Sequence, residues 1–191
     1  PFIIEQLGDC KYNIGPKSFF QTNSKQAKVL YDVVKDYAQL ESEMNVYDLY
    51  TGLGSIALYL AKDCKQIVGI EEVEPAIVDA RINAALNETE NSIFYAGDVK
   101  DILTEAFRDT HGSPDVVITD PPRAGMHGDV INTLLTLAAP RIVYVSCNPG
   151  TQARDIALLS EKYDMVKMQP VDMFPHTHHI ENVALLELKK T

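Results

Sequence analysis

Five apolar, β-branched runs alternate with helix-forming segments through the middle of the chain, and this alternation restricts the fold more than any single motif. The runs are Val46 to Tyr50, Gln66 to Glu71, Ser92 to Tyr95, Asp115 to Thr119 and Arg141 to Ser146. The stretches 54–63, 75–88, 98–108, 127–138 and 150–161 read as the helices between and after them. Strands buried on both faces need near-continuous apolar runs, and strand, helix, strand repeated this way predicts an α/β fold with a mostly parallel sheet covered on both faces.

The flanks depart from that rhythm. Residues 1–20 read as short extended pieces turning at Gly8 and Gly15-Pro16. Asn23 or Ser24 can then cap a helix to about Leu40, with Ala27, Leu30, Tyr31, Val34 and Ala38 at helical spacing. Near the end, Met165 to Val171 and Val183 to Leu188 are strand-like and joined by a loop, Asp172 to Asn182, which predicts a terminal antiparallel hairpin. Repeats and low-complexity segments are absent from the sequence.

Composition bounds the rest. A length of 191 residues with 46% hydrophobic residues suits one domain with a full core. No apolar stretch reaches membrane length, and the three cysteines (Cys10, Cys64, Cys147) are far apart, which points to a reducing, cytoplasmic setting. The formal charge of −10 disfavours a polyanion grip by this chain alone, because such grip comes from Lys and Arg neutralising phosphates. The chain opens at Pro1 inside an extended segment and reads as the carboxyl-terminal piece of something longer. On that reading 1–20 is a lead-in and 21–191 the domain proper.

Three successive strand ends suggest a nucleoside cofactor. Asp48-Leu49-Tyr50-Thr51-Gly52-Leu53-Gly54-Ser55 follows the first strand and opens a helix, where glycines allow a tight turn and close approach of the backbone to a ligand. Glu71 ends the next strand about twenty residues on, the place from which a carboxylate accepts hydrogen bonds from both ribose hydroxyls. Asp98 follows the third strand, where it can meet an adenine amine or simply cap a helix. A third glycine for pyrophosphate binding would fall at Ala57. These features alone leave NAD and S-adenosylmethionine both open.

The reacting side lies further along. Asp120-Pro121-Pro122-Arg123 ends the fourth strand in a loop that two prolines make rigid. Cys147 comes just past the fifth strand, in Ser146-Cys147-Asn148-Pro149, where a parallel sheet presents its reactive groups. The loop from Asp172 to Glu181 holds His176, His178 and His179, but a strand would point His178 and His179 to opposite faces and further ligands are not evident, so no metal is expected.

With these residues in hand, the chain resembles the catalytic domain of the S-adenosylmethionine-dependent RNA uracil-5-methyltransferases. The resemblance rests on Ser18-Phe19-Phe20-Gln21-x-Asn23, Asp48-Leu49-Tyr50-x-Gly52-x-Gly54, Asp120-Pro121-Pro122-Arg123, Ser146-Cys147-Asn148-Pro149 and Asp172-x-Phe174-Pro175-x-Thr177-x-His179-x-Glu181. It implies a Rossmann-like class I methyltransferase fold with a seven-stranded sheet. It further implies that Gln21, Tyr50, Gly52, Ser55, Glu71, Asp98 and Asp120 line the S-adenosylmethionine site, that Cys147 is the nucleophile and that Glu181 is the base. Thr51 and Ser55 replace the cysteine and asparagine common in the family. Such proteins carry amino-terminal RNA-binding material, some with an iron–sulfur cluster, so most of the RNA grip is expected outside this chain.

The chemistry expected from this resemblance starts from the weak nucleophilicity of uracil C5. Addition of a Cys147 thiolate to C6 raises the electron density at C5, and Glu181 later removes the C5 proton. Arg123 is a candidate to support the enolate oxygen, and Phe19 or Phe20 to stack on a flipped-out base. Ribosomal RNA is the expected substrate ahead of transfer RNA. The alternatives are methylation of an exocyclic amine, which needs neither thiol nor base, and a cofactor-binding fragment without activity.

Overall fold

The computed structural model describes residues 2–16, 18–177 and 179–190. The chain begins with β1 (Ile3–Leu7) and β2 (Cys10–Ile14), an antiparallel hairpin in its own two-stranded sheet, followed by α1 (Ser24–Ala38). Then come β3 (Asn45–Leu49), α2 (Ser55–Leu60), β4 (Gln66–Glu71), α3 (Glu74–Leu86), β5 (Ser92–Ala96), α4 (Val99–Ile102), α5 (Glu105–His111) and β6 (Val116–Thr119). The chain continues through α6 (Gly128–Leu137), β7 (Arg141–Ser146), α7 (Pro149–Leu159), β8 (Tyr163–Val171) and β9 (Glu181–Leu188).

The main sheet has seven strands in the order β5-β4-β3-β6-β7-β9-β8. β3 to β7 are mutually parallel, and β9 runs antiparallel to both its neighbours. The chain winds outward from β3 to β5, returns to β6 and winds the other way. Neighbouring βα loops therefore part between β3 and β6, which opens a crevice at the carboxyl edge of the sheet.

Side chains alternate between two cores. Val46, Ile67, Ile118, Val143 and Leu185 join α1, α2 and α3 on one face, while Tyr47, Val68, Val117, Ile142 and Leu186 join α4, α6 and α7 on the other. Period-two alternation within uniformly apolar runs is what a doubly covered sheet requires.

The initial hairpin is fastened by an amide ladder. Asn83 of α3 accepts from the Asn13 N–H (2.6 Å) and donates to the Asn13 carbonyl (3.2 Å), and Asn87 does the same with Lys11 (2.8 and 2.7 Å). Four helical residues rise about 6 Å and two strand residues about 6.8 Å, so one helix turn matches every second residue of β2. One turn earlier, Asp79 accepts from the Gly15 N–H (3.1 Å) and the Ser18 hydroxyl (2.5 Å), which fixes the path into Phe19–Gln21.

Two expectations are corrected. The helix expected over 98–108 is two, because Leu103 leaves the helix at ψ 58° and Thr104 starts a new one by accepting from the Phe107 N–H. Glu181 and Asn182, expected in a loop, belong to β9, whose pairing with β8 extends past the apolar run to Pro170↔Asn182 and Val171↔Glu181.

Candidate active site

At the crevice lies a cavity of about 650 Å³, lined from five directions. Residues 50–53 come from the turn after β3, Glu71 from β4, residues 120–123 from the loop after β6, Cys147 from the residue just past β7, and residues 173–174 and 179–181 from the approach to β9 and its first residue. Phe19, Phe20 and Gln21 cover it from the segment before α1.

The cofactor half is built around a strained turn. Tyr50 has φ 61°, in the left-handed region that costs a non-glycine residue energy, and Gly52 and Gly54 follow at φ 56° and 81°. Glu71 holds this turn: one carboxylate oxygen accepts from the Gly52 N–H (3.1 Å) and the other from the Val73 N–H (3.0 Å). A Cβ at Gly52 would meet nothing within 4 Å, so its backbone faces open space. Beneath the turn, Asp48 is 1% exposed and accepts from the Thr51 hydroxyl (2.5 Å). Burial pushes its carboxyl up to about 7.

Gln21 is buried, and its Oε1 has no hydrogen-bond partner among the described residues. Ser55 accepts from the Tyr31 hydroxyl through Oγ (2.8 Å) and from the Tyr12 hydroxyl through its carbonyl (2.9 Å). Asp98 is placed differently from these. It does not line the cavity; its carboxylate caps α4 through the Lys100 N–H (3.1 Å) and pairs with the Lys100 ammonium (3.2 Å).

The reacting half depends on strand register. Ser146 of β7 pairs with Asn182 of β9, so the next step along each strand brings Cys147 beside Glu181. Because β9 runs backwards, its first residue reaches the edge where the parallel strands end. Burial pushes the Glu181 carboxyl up to about 7, against the opposing pull of the Gln21 amide and Arg123. Burial, then Glu181 and Asp48, lift Asp120 well above the usual carboxylate range. The Cys147 thiol is raised by burial, Glu181 and Asp120, and the Arg123 guanidinium opposes them. Among the described cysteines Cys147 is partly accessible, while Cys10 and Cys64 are buried.

The two phenylalanines separate. Phe20 is buried against Tyr12, ring centroids 5.3 Å apart, whereas Phe19 is 77% exposed at the cavity mouth. Tyr31, Met173, Phe174 and His179 also line the cavity without having been singled out as binding residues. Tyr31 carries no local signal, since its apolar helical spacing reads as core and its hydroxyl partner is 24 residues away. His178 lies outside the described residues. Among the described residues, three or more His, Cys, Asp or Glu side chains nowhere gather as a metal would require.

An open sheet of this order, with acids and a glycine turn at its carboxyl edge, is the class I methyltransferase fold. The chain belongs to the tRNA (uracil-5-)-methyltransferase family, whose model matches residues 6–189. It is similar to a protein of Porphyromonas gingivalis named uncharacterized RNA methyltransferase, with 58% identity over 187 residues, 97% of this chain and 40% of that one. A protein of the same name from Bacteroides thetaiotaomicron is 56% identical over 187 residues, 98% of this chain and 41% of its own length. The chain thus spans about two-fifths of the length of these relatives. Among solved structures, it is similar to the Pyrococcus abyssi tRNA (uracil-54, C5)-methyltransferase in complex with S-adenosyl-L-homocysteine. That likeness has a TM-score of 0.84 and 40% identity, and covers 97% of this chain and 44% of that one.

Proposed function

We propose that this chain is the catalytic domain of an enzyme that transfers a methyl group from S-adenosylmethionine to C5 of a uridine in RNA through a covalent adduct on Cys147. The observation that carries the reading is the β7–β9 register, which sets a partly accessible thiol beside a carboxylate of elevated pKa on one cavity wall.

The residues present fit the cofactor. The unpartnered Gln21 Oε1 is an acceptor for an amine or hydroxyl, and Glu71, already oriented by two N–H groups, retains lone pairs for ribose hydroxyls. Tyr50, Gly52, Ser55 and Asp120 complete the wall on this reading, with Asp98 offering a more distant carboxylate. Bound there, S-adenosylmethionine supplies an electrophilic methyl group on a sulfonium.

The protein's own groups do the rest. Cys147 as thiolate adds to C6 of uracil, and the C5–C6 π electrons move to C5 and O4, giving the enolate. Arg123 stabilises the negative charge on that oxygen and favours the thiolate before attack. After C5 is methylated, Glu181 accepts the C5 proton, the C5=C6 bond reforms and the thiolate leaves. A carboxyl titrating near 7 is matched to this task, since it is a stronger base than an ordinary glutamate. Phe19, exposed at the mouth, is the better placed of the two phenylalanines to stack on an incoming base.

The acidic chain supports the expectation that RNA is gripped mainly by material beyond it. Ribosomal RNA is the proposed substrate, with the transfer RNA of the Pyrococcus relative as the alternative. The test incubates the protein with S-adenosylmethionine and ribosomal or transfer RNA carrying 5-fluorouridine, whose fluorine blocks proton removal. A denaturant-stable adduct mapped to Cys147 by mass is expected. Methylation that survives Cys147→Ala would instead indicate transfer to an exocyclic amine.

A further inference from the structure

The proposed chemistry makes no use of the ion pair between Arg154 and Asp155 on α7, although Asp155 is fully buried. One Asp155 oxygen accepts from the Tyr144 hydroxyl (2.7 Å) and the Met126 N–H (2.8 Å); the other accepts from Arg154 Nε (2.9 Å) and Nη2 (2.6 Å). Arg154 Nη2 also donates to the carbonyls of Ala124 (3.0 Å) and Met126 (3.3 Å). One turn earlier, Asn148 Nδ2 (3.0 Å) and Thr151 Oγ1 (3.2 Å) donate to the Arg123 carbonyl. The start of α7 thus holds the backbone of the loop that carries Asp120 and Arg123.

The fit is close enough to dictate a residue type. Gly125 has φ 78°, and a Cβ there would stand 2.6 Å from Arg154 Nη2 and 2.7 Å from Asp155 Oδ2. Asp155 is the buried end of this pair and Arg154 is half exposed; a carboxylate desolvated in this way is a poor source of stability, and its distinctive contribution is geometric. Here that geometry joins two loops: Cys147 precedes Asn148, the N-cap of α7, and the Arg123 loop is fastened to α7.

We propose that Arg154 and Asp155 are positioning residues that lock the Asp120–Met126 loop to α7, so that Arg123 is presented to Cys147 in a fixed relation. The catalytic meaning of this clamp rests on Cys147 being the nucleophile of the reaction proposed above. Its geometric content does not.

The test reads the thiol directly, without cofactor or RNA: the rate of Cys147 alkylation by iodoacetamide against pH, with the modified cysteine located by mass. The groups acting on this thiol are Glu181 of β9 and Asp120 of the loop, which raise it, and Arg123, which opposes them. Arg123→Gln sets the reference, moving the midpoint up. The double variant Arg154→Gln/Asp155→Asn conserves net charge and leaves an acceptor for Tyr144 and Met126, and Gly125→Ala wedges the loop from the other side. Both are expected to move the midpoint in the same direction, by about half a pH unit, which is about a threefold loss of rate below the midpoint. Should the double variant fail to fold, Thr151→Val removes one neutral donor to Arg123 and is expected to show a smaller shift of the same sign.

Folded clamp variants that keep the wild-type midpoint while Arg123→Gln shifts overturn the proposal. So does Thr151→Val at the wild-type midpoint when it alone is folded. A full-length protein, RNA-binding region included, whose Cys147 alkylates normally yet forms no adduct with fluorinated RNA overturns the reaction reading and leaves the clamp to be judged by alkylation.

Discussion

Glu181→Gln is expected to make the fold more stable above neutral pH, although the residue is assigned to chemistry. Burial is the largest influence on this carboxyl and displaces it from 4.5 to about 7. As the pH rises from 4.5 towards 7, the unfolded chain gives up this proton while the folded protein keeps it. The folded state then binds more protons, so stability falls through that window and the loss is complete above about 7. At about 1.4 kcal/mol per pH unit, the displacement corresponds to an upper figure of about 3 kcal/mol. Part of the carboxylate's charge is screened by solvent, which brings the expected gain for the neutral amide to about 1–2 kcal/mol. Relief of Asp120, which Glu181 also raises, acts in the same direction. For a chain of this size the gain corresponds to about 2–8 °C in melting temperature. Urea unfolding followed by circular dichroism should show the gap between variant and wild type widening from pH 5 to pH 8. A variant no more stable than wild type at pH 8, or a gap independent of pH, would refute the reasoning.

Three further outcomes follow from other parts of the molecule. Cys147→Ala should retain S-adenosylmethionine binding by calorimetry while forming no adduct with fluorinated RNA; loss of binding would make Cys147 a structural residue. Asn83→Ala strips both backbone groups of Asn13 of their partners and should lower stability by about 1–3 kcal/mol, read from the urea midpoint. A change within a few tenths would show that water replaces the ladder without loss. Gly69→Ala drives a Cβ to 2.6 Å from Phe94 Cδ1 and 2.9 Å from Thr51 Cγ2, directly under the cofactor turn. It should cost about 1–3 kcal/mol and weaken S-adenosylmethionine binding, and unchanged values for both would show that Phe94 swings aside freely.

The doubly wound architecture was legible because it is written in short-range patterns. An apolar run next to a helical period states which faces are buried, and glycine or proline at its end states where the chain must turn. Hence Gly52, Glu71, Asp120 and Cys147 could be placed at strand ends from sequence, and all four line one cavity. Asp98 occupies a strand end by the same logic, yet its side chain turns to cap α4 because Lys100 offers both an N–H and an ammonium. The cap was one of the two roles its position left open, whereas the division of labour between Phe19 and Phe20 was hidden: both precede Gln21, and only the packing of Phe20 on Tyr12 separates them.

What the sequence determined by itself, then, was the order of the elements, the covered faces of the sheet and the types of group available at its edge, because local polarity and backbone preference set each of these. Tertiary structure alone decided that Glu181 opens a reversed strand beside Cys147, that its carboxyl is desolvated, and that α7 grips the Arg123 loop. Pairing register between distant strands and loss of solvent around a charge both depend on neighbours brought in from far along the chain, and a local pattern carries no record of them.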